Sequence, residues 1–265
     1  MKLKPVKDKS DIRIADHDAH VDLGLSKAEC EEESAKYAKK ISDLQRVLYA
    51  DARFALLIVL QGRDASGKDG TVRKVFSDVN PQGCVVWPFT VPSELEKKHD
   101  FLWRAHDRVP ARGMIGIFSR SHYEDVILPR VHDTLPKKVI AARVDQINDF
   151  EKMLAANGVV ILKFFLQVSR DEQKRRLQER LTNPEKNWKF QKGDLDDRHL
   201  WGEFGDAYRK VIAKTSTTVA PWYIVPADDN DVRDLLVAHT IADRLQKMHL
   251  RYPKGDPDVL ALEID

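Results

Sequence analysis

The residues best suited to chemistry lie in one short segment, residues 62–70, which reads Gly-Arg-Asp-Ala-Ser-Gly-Lys-Asp-Gly. Gly62 and Gly67 are separated by four residues and are followed by Lys68, which is the spacing of a phosphate-binding loop. The glycines let backbone N–H groups turn towards an anion, and the lysine supplies positive charge to a phosphoryl group in transfer. The predicted phosphate ligands in this segment are Gly62, Arg63, Ala65, Ser66, Gly67, Lys68, Asp69 and Gly70.

Two carboxylates distinguish this loop from an ordinary nucleotide-binding loop. Asp69 follows the lysine at the position where such a loop usually has a Ser or Thr hydroxyl that binds Mg²⁺. Asp64 lies inside the loop, where its charge would repel phosphate unless a cation lay between the two. We therefore expect Asp64 to hold a divalent cation, Mg²⁺ with Mn²⁺ as the alternative.

The loop lies between elements that alternate regularly along the chain. Residues 54–60 form an apolar run without polar alternation, which is typical of a strand buried on both faces of a parallel sheet. Similar runs occur at residues 84–89, 114–118, 159–168 and 222–225. Helical patterns lie at residues 68–79, 93–107, 136–156 and 169–181, with two more towards the C-terminus. This alternation predicts an α/β fold, a doubly wound parallel sheet with helices on both faces.

The chain is expected to form one domain preceded by a short arm. Residues 1–25 are polar and irregular and predict an arm that lies on the domain or on a partner. Ser26 and Glu29 form a capping box that opens the single domain, residues 26–265. Four apolar residues then recur at helical spacing and could pack internally or on a second subunit: Tyr37, Ile41, Leu44 and Leu48. We expect a homo-oligomer, either a dimer or a tetramer.

Composition argues against several classes of protein. The 265 residues carry 44 Lys and Arg against 42 Asp and Glu, a net charge of +2, so a uniformly basic nucleic-acid-binding surface is not expected. Cys30 and Cys84 lie too far apart for metal-ligand spacing and are expected to be free thiols in a reducing cytoplasm. The charged N-terminus argues against a signal peptide, and no run approaches the ~18 apolar residues of a membrane span. We expect a soluble cytoplasmic protein.

A second group of candidates follows the apolar run at residues 114–118. Arg120 stands at the C-terminal end of that run, the edge where open α/β sheets bind ligands, and could clamp phosphate oxygens in a bidentate fork. A salt bridge to Glu124 is the alternative. Glu124 could also cap the next helix, or orient an acceptor or its metal. Structural packing is favoured over proton transfer for His122 and Tyr123, because an anionic phosphate acceptor needs no general base.

A helical lid over the phosphates is predicted at about residues 169–195. Ser169 and Glu172 form a second capping box at the start of a helix. Three arginines of that helix are expected to close over the phosphates, exclude water and stabilise transition-state charge: Arg175, Arg176 and Arg180. The alternative is a solvated face on which Glu172 and Glu179 pair with the arginines. Beyond the helix, Trp188 could stack on a base or anchor the lid in the core.

Several motifs in the same order make the sequence resemble the family-2 polyphosphate kinases. Besides the loop, the matching stretches are residues 80–83, 99–104, 118–125, 188–190 and 220–222, and the resemblance covers roughly residues 35–250. It implies a P-loop kinase fold and Mg²⁺-dependent transfer of the terminal phosphoryl group of inorganic polyphosphate to AMP or ADP. The stretch Ser-His-Tyr-Glu-Asp at 121–125 is similar to the subgroup that phosphorylates both nucleoside mono- and diphosphates.

The candidate sets combine the reasoning from residues with this resemblance. The catalytic set is Asp64, Lys68, Arg120, Arg176 and Arg180. Phosphate binding extends from the loop to Arg73, Lys74, Arg120, Arg175 and Arg180. The nucleotide-binding set is His122, Tyr123, Glu124, Trp188 and Lys189. For the metal, Asp64 is joined by Ser119 and Glu124 as further candidates. Family members usually have Asp or Asn at the position of Ser119, so metal binding should depend mainly on Asp64, substrate phosphates and water.

The partners expected are inorganic polyphosphate and adenine nucleotides, not a nucleic acid or a membrane. Residues 87–92 could line the acceptor pocket or form a packed loop. An ATP-dependent nucleotide or small-molecule kinase of the same fold is the nearest alternative, and Asp69 argues against it. A non-catalytic nucleotide-binding regulator is the alternative from another class, and the arginine-bearing lid argues against that, because a switch protein need not exclude water from its site.

Overall fold

The computed structural model describes residues 2–7, 10 and 12–264. Five parallel strands form one sheet in the order β2-β3-β1-β4-β5. The strands are β1 Ala55–Gln61, β2 Cys84–Pro88, β3 Ile115–Ser119, β4 Val159–Gln167 and β5 Trp222–Pro226. In the central strand β1, Leu60 is opposite Ser119 of β3 and Phe164 of β4, so the three strands end at one edge of the sheet. The predicted α/β fold is confirmed, and each apolar run is a strand.

Helices connect the strands and cover both faces of the sheet. They are α1 Lys27–Asp51, α2 Lys68–Val75, α3 Trp103–His106, α4 Glu124–Val131, α5 Lys137–Ala156, α6 Arg170–Thr182, α7 Gly193–His199, α8 Trp201–Thr215, α9 Asn230–Gln246 and α10 Pro257–Leu260. The capping box of Ser26 and Glu29 opens α1 as expected. Ser169 caps α6, but Glu172 turns to arginines of the same helix instead of completing a box. No helix in the described part of the chain is long and apolar enough to cross a membrane.

The prediction of one helix over residues 93–107 is wrong. The structure has a 3-10 turn at Glu96–Lys98 and the four-residue α3 in its place. Asp100 separates the two, because its carboxylate accepts a hydrogen bond from the backbone N–H of Leu102 and its carbonyl accepts one from Trp103. Such a local side-chain bond competes with continuation of a helix. The consequence is an irregular segment that places Arg104 in the interior.

Two hydrophobic layers hold the sheet. Helices α1, α2 and α9 cover one face, whereas α4, α5 and α8 cover the other. Ile41 and Leu48 of α1 are fully buried in the first layer, and Tyr37 and Leu44 pack against it. The apolar stripe of α1 is therefore used inside the chain, mainly against α9. The N-terminal segment also lies on the domain, since Val6 donates to the Trp222 carbonyl and Ile14 is part of the second layer.

A charged pair is buried inside the second layer, behind the C-terminal end of β3. The Nζ atom of Lys163 in β4 lies 2.5 Å from Oε2 of Glu151 in α5. Lys163 also donates to the Tyr123 hydroxyl at 2.7 Å and to the Thr215 carbonyl at 2.8 Å, and the Tyr123 hydroxyl donates to Glu151 at 2.8 Å. The polar groups of this cluster thus form hydrogen bonds and an ion pair with one another, which is the condition for tolerating charge in an apolar interior.

Candidate active site

The phosphate loop runs from the end of β1 to the start of α2. Gly67, at the N-cap of α2, has a φ of 98°, which favours glycine. A Cβ atom on Gly67 would overlap the guanidinium of Arg233, and one on Gly62 would lie 2.7 Å from the Leu166 carbonyl oxygen. Backbone conformation and close neighbours both require the two glycines that the sequence motif picked out.

Lys68 is folded over this loop. Its Nζ atom donates to the carbonyls of Gly62 at 2.7 Å and Arg63 at 3.1 Å, with the Ser66 hydroxyl at 3.4 Å. Burial, followed by the nearby charge of Arg120, lowers the pKa of Lys68 to about 8. The ammonium is thus held by weak acceptors that a phosphate oxygen could replace.

Asp64 and Arg120 form an ion pair across the mouth of the loop. The Arg120 Nη2 atom lies 2.6 Å from Asp64 Oδ1. Arg120 adopts a φ of 59°, and its N–H bonds the Leu60 carbonyl, which turns its side chain from the end of β3 towards the loop. Burial acts to raise the pKa of Asp64, but Lys68 and Arg120 outweigh it and hold that pKa below its ordinary value. The Asp64 carboxylate is therefore ionised and placed where phosphate would arrive.

A cavity of about 490 Å³ opens beside this pair. The phosphate loop, the stretch after β2 and helices α4, α7 and α8 contribute most of its lining, together with Arg104, Arg120 and Gln173. Phe89, Thr90, Val91 and Pro92 form one wall, so the stretch after β2 lines the cavity and is not merely a packed loop. A volume of this size is in the ordinary range for a small-molecule site, ~300–1,000 Å³.

Three carboxylates form an acidic wall of the cavity. Glu124, Asp194 and Asp197 all line it, and burial raises the pKa of each, for Glu124 against the opposing charges of Arg120 and Lys68. The charges lining the cavity therefore favour phosphate next to Arg120 and disfavour it beside the three carboxylates.

Of the three predicted lid arginines, Arg180 faces the site and Arg175 does not. Arg180 donates to the Asp194 carboxylate at 3.2 Å and is close enough to help lower the pKa of Asp64. Arg175 points to solvent, with its side chain 61% exposed, and pairs with Glu172 at 2.7 Å. The solvated-face alternative therefore describes Arg175, and Arg180 remains the lid candidate.

Arg176 requires a correction, because the structure does not place it among the groups that could contact phosphate. Its residue is 9% exposed, and its guanidinium donates to the carbonyls of Ala65, Ala227 and Asp228 and to the Glu172 carboxylate. All of these contacts lie on the interior side of α6. A role as a transition-state donor is contradicted by this burial.

The nucleotide-binding assignments of His122 and Tyr123 are also contradicted. Both residues are fully buried, and neither lines the cavity. The His122 ring packs edge-on against Phe118 and Phe150, and Tyr123 belongs to the cluster of Lys163 and Glu151. Apolar surroundings at the end of β3 turn these side chains inwards, whereas the next residue, Glu124, reaches the cavity.

Trp188 and Lys189 stay outside the cavity in this conformation. Trp188 is 77% exposed, with its indole N–H on the Glu185 carbonyl, so it does not anchor the lid in the core. Lys189 lies 3.7 Å from the Asp69 carboxylate at the start of α2. The lid thus touches the phosphate loop through Asp69, the residue that replaces the usual Ser or Thr.

The remaining predicted cations differ in their freedom to bind substrate. Arg63 is 7% exposed, stacks 4.0 Å over the Trp201 ring and donates to the Trp201 carbonyl, and burial lowers its pKa to about 10. Arg63 lines the cavity, but its contacts with Trp201 fix its guanidinium in place. Arg73 and Lys74 are exposed in the last turn of α2. Of these three, Arg73 and Lys74 have the freedom to follow a long anion.

A divalent cation fits this site with little help from protein ligands. Within residues 2–7, 10 and 12–264, no group of three or more His, Cys, Asp or Glu side chains could hold a metal ion. Asp64 is ionised and at the loop, and Glu124 lies near enough for the Asp64 charge to help raise the pKa of Glu124. Ser119 ends β3 but does not line the cavity. Mg²⁺ often binds through one or two carboxylates, substrate phosphates and water, which is what these residues offer.

Sequence reasoning missed the acidic wall and the ion pair beneath it. Arg104 lies 2.8 Å from Asp125, donates to the Thr90 carbonyl and supports the wall after β2. Arg104 was within a recognised motif, residues 99–104, but nothing in its spacing indicated a partner 21 residues away. Asp194 was part of the predicted lid without a role, and Asp197 lay just beyond it; their spacing of three on one helix was the available signal.

The comparison with protein families decides which group the chain belongs to. The model of the polyphosphate kinase 2 (PPK2) family matches residues 24–253. The chain belongs to the PPK2 family. It is thus an enzyme of the kinase type, and the resemblance drawn from its motifs is confirmed.

Other PPK2 relatives agree in sequence and fold. The chain is 50% identical over 218 residues to an AMP/ADP-polyphosphate phosphotransferase of Meiothermus ruber, covering 82% of each chain. It is 44% identical to an ADP-polyphosphate phosphotransferase of Rhodopseudomonas palustris, covering 83% of this chain and 80% of the other. The crystal structure of polyphosphate kinase 2 from Arthrobacter aurescens TC1 matches with a TM-score of 0.86 and 36% identity, covering 98% and 96% of the two chains.

Proposed function

We propose that this PPK2 enzyme transfers the terminal phosphoryl group of inorganic polyphosphate to AMP and ADP, reversibly and with Mg²⁺. The observation that carries the proposal is the cavity beside the Asp64–Arg120 pair, which gives an acceptor its own site next to the phosphate loop. The relatives named an AMP/ADP-polyphosphate phosphotransferase in Meiothermus ruber and an ADP-polyphosphate phosphotransferase in Rhodopseudomonas palustris support polyphosphate as the donor and AMP and ADP as the acceptors.

The chain's own residues would act by positioning and by charge. The loop amides and Lys68 bind the donor phosphates, and Arg120 reaches the phosphoryl group in transfer. Asp64 would hold Mg²⁺, which when bound neutralises charge on the phosphate oxygens. Arg180 approaches from the lid and adds positive charge while the lid excludes water. No side chain needs to take a proton, because the acceptor phosphate is already anionic.

The acceptor side of the proposal has a direct test. AMP incubated with polyphosphate and the purified enzyme is expected to give ADP first and ATP later, measured by chromatography of the nucleotides. If AMP persists while ADP is converted, the dual-acceptor assignment is wrong and the enzyme is restricted to diphosphates. A matrix of polyphosphate or ATP against AMP, ADP and GDP also reports the base preference.

The donor side depends on a local track of cations. Lys68, Arg120 and Arg180 would form its centre, and Arg73 and Lys74 its exposed extension. A chain that engages several phosphates releases several counterions, so affinity for long polyphosphate should exceed that for tripolyphosphate and fall steeply with salt. The measurement is the half-saturating donor concentration per chain end at two salt concentrations. Equal values for both lengths, or better use of ATP, would favour an ordinary ATP-dependent kinase.

Oligomeric state and location complete the proposal. We expect a dimer or tetramer in the cytoplasm, with neither nucleic acid nor membrane as a partner. Exposed apolar side chains around the edge strand β2, among them Val86, Trp87 and Leu95, support an association surface of this kind. Light scattering after gel filtration measures the mass, and fractionation of cells measures the location; a monomer or a membrane-bound fraction would contradict these two statements.

A further inference from the structure

Helix α6 directs two polar side chains to the backbone of the phosphate loop. Arg176 donates through Nη1 to the Ala65 carbonyl at 3.0 Å and does not line the cavity. Gln173, one turn earlier and 3% exposed, lines one side of the cavity and donates through its side-chain amide to the Asp64 carbonyl at 3.1 Å. The two consecutive carbonyls that follow the loop arginine are therefore both bound by one helix.

The backbone at this point has a conformation that needs support. Ala65 has a φ of 59°, in the left-handed region that residues with a Cβ seldom adopt, at a cost of ~1 kcal/mol or more. Such a residue persists when its surroundings fix it. Because a peptide N–H points opposite to the carbonyl of the same peptide, the N–H of Ala65 is turned away from α6. The N–H of Ser66 donates to the Arg63 carbonyl at 3.2 Å and closes the turn. The Asp64 side chain leaves the backbone within this fixed segment.

Arg176 is well placed for such support. Its Nη2 atom donates to the carbonyls of Ala227 at 2.7 Å and Asp228 at 2.8 Å, in the turn between β5 and α9, and its Nε atom donates to Glu172 at 2.7 Å. The planar guanidinium therefore joins α6, the phosphate loop and that turn in one geometry. A lysine could make some of these bonds singly but could not hold all of them in the same fork.

We propose that Arg176 and Gln173 are positioning residues that set the orientation of Asp64 and of the loop amides, so that the metal and the donor phosphate meet a preformed loop. The proposal rests on the proposed function in so far as Asp64 is taken to hold the metal. It also places the first two turns of α6 with the loop as one rigid unit, so any closure of the lid must bend the chain beyond Arg176.

The test uses four variants of the full chain: Arg176→Met, Arg176→Lys, Gln173→Met and, as a matched control, Lys174→Met. Lys174 is an exposed cation on the same helix. Loss of a supporting group of this kind typically lowers metal affinity or activity by ~10- to 100-fold. We expect Arg176→Met to lower kcat and raise the Mg²⁺ concentration at half-maximal rate within that range. Gln173→Met should change both less, Arg176→Lys should not rescue, and Lys174→Met should match the wild type.

Two further readouts separate positioning from general stability. Hydrogen exchange in a peptide spanning residues 62–70 should speed up at least tenfold in Arg176→Met and Gln173→Met while the peptides of β1 and β4 stay protected. In an Asp64→Asn background, Arg176→Met should cost much less than in the wild type, because both act through one carboxylate. If Arg176→Met does not fold, loop exchange in Gln173→Met without substrate decides the matter, because Gln173 lines the cavity and its rates alone could report a lost substrate contact.

Unchanged loop exchange and unchanged Mg²⁺ dependence in Gln173→Met and the folded Arg176 variants would overturn the proposal, as would full rescue by lysine. Additive losses with Asp64→Asn would overturn it as well. The rates of the wild type with each donor test the proposed function. The ratio of the variant's rate to the wild-type rate, both measured with the donor that the wild type uses, tests this inference. The two can therefore fail separately.

Discussion

The phosphate loop and the lid helix α6 hold similar side chains in different ways. In the loop, Lys68 is buried and bonded to neighbouring carbonyls, and Asp64 has Arg120 as a fixed partner. Along α6, Arg176 is buried and bonded in the interior, whereas Arg175 and Arg180 lie nearer to solvent and pair with carboxylates of the lid. The position of an arginine on the helix thus decides whether it supports the site or is free to reach the substrate.

This contrast says where rigidity and motion are needed. A loop that must present its amides in one arrangement gains from being bonded on every side, because preorganised donors lose nothing when charge develops. A lid must open to admit a long anion, so its contacts have to be few and exchangeable. The pair of Lys189 with Asp69, 3.7 Å apart and exposed to water, is a contact of the second kind. The predictions below set the fixed groups against the exchangeable ones.

The largest effect is expected at the fixed carboxylate. Asp64→Asn should lower turnover at least ~100-fold, or ~2.7 kcal/mol of barrier, because the metal loses its charged ligand. Steady-state rates at saturating Mg²⁺ measure this, and circular dichroism checks the fold. Asp78→Asn, which alters an exposed carboxylate beyond α2, is the control. Near-normal turnover of the Asp64 variant would show that this carboxylate does not hold the metal.

The next largest effect is expected at the lid arginines, where substitution of Arg180 and of Arg175 should lower kcat to different extents. Arg180→Met is expected to lower kcat about 30-fold, since one charge-assisted hydrogen bond is worth ~2 kcal/mol. Arg175→Met should cost at least ten times less, because its side chain is directed to solvent. The comparison of kcat for the two variants under identical conditions is the measurement. A larger loss for Arg175 would mean that the helix turns on closure and that its outward face meets the substrate.

Lys68 should make activity depend on pH. Its pKa of about 8 means that the charged form, which binds phosphate, is lost as pH rises through that value. In the free enzyme kcat/KM should therefore fall by about tenfold between pH 7 and pH 9, whereas kcat should fall less because bound phosphate keeps the lysine protonated. Arg in place of Lys68 does not titrate, so Lys68→Arg should remove the decline even if its absolute rate is lower. A decline that persists in that variant must come from another group.

The smallest effect is expected at Ser119, at the edge of the site. Ser119→Asp offers a carboxylate where the hydroxyl is, and should lower the Mg²⁺ concentration at half-maximal rate by up to about tenfold, or ~1.4 kcal/mol. Ser119→Ala is the matched control and should leave that concentration almost unchanged. An unchanged or higher requirement in the Asp variant would exclude a metal role for this position.

The sequence could predict the features that depend on neighbouring residues, but not those that depend on contacts between distant parts of the chain. The strands and the phosphate loop depend on neighbours along the chain, so apolar runs and the spacing of Gly62, Gly67 and Lys68 were enough. The inward turn of Arg176 depends on which face of α6 meets the core, and a helix with charges on several faces does not reveal that. His122 and Tyr123 lie in the turn before α4, where contacts with distant residues such as Phe150 and Glu151 set their direction. The broken helix at residues 93–107 depends on one side-chain bond of Asp100.

The sequence could not predict the acidic wall of the cavity for a similar reason. Asp194 and Asp197 come close to Asp64 through tertiary folding, across more than a hundred residues of chain. No local pattern specifies such a distance. A motif names the residues that meet the substrate, whereas the groups that shape the surrounding field come from folding of the whole domain.

The buried pair of Lys163 and Glu151 has a consequence for how this sequence can change over time. Losing either partner alone leaves a bare charge in the core, which costs ~3–5 kcal/mol out of a typical total of 5–15. Losing both together, in favour of apolar residues that fill the space, is often neutral. The two positions therefore constrain one another: a change at one must come together with a change at the other, or pass through a form that has lost a large part of its stability. Tyr123, which bonds both, would have to change with them.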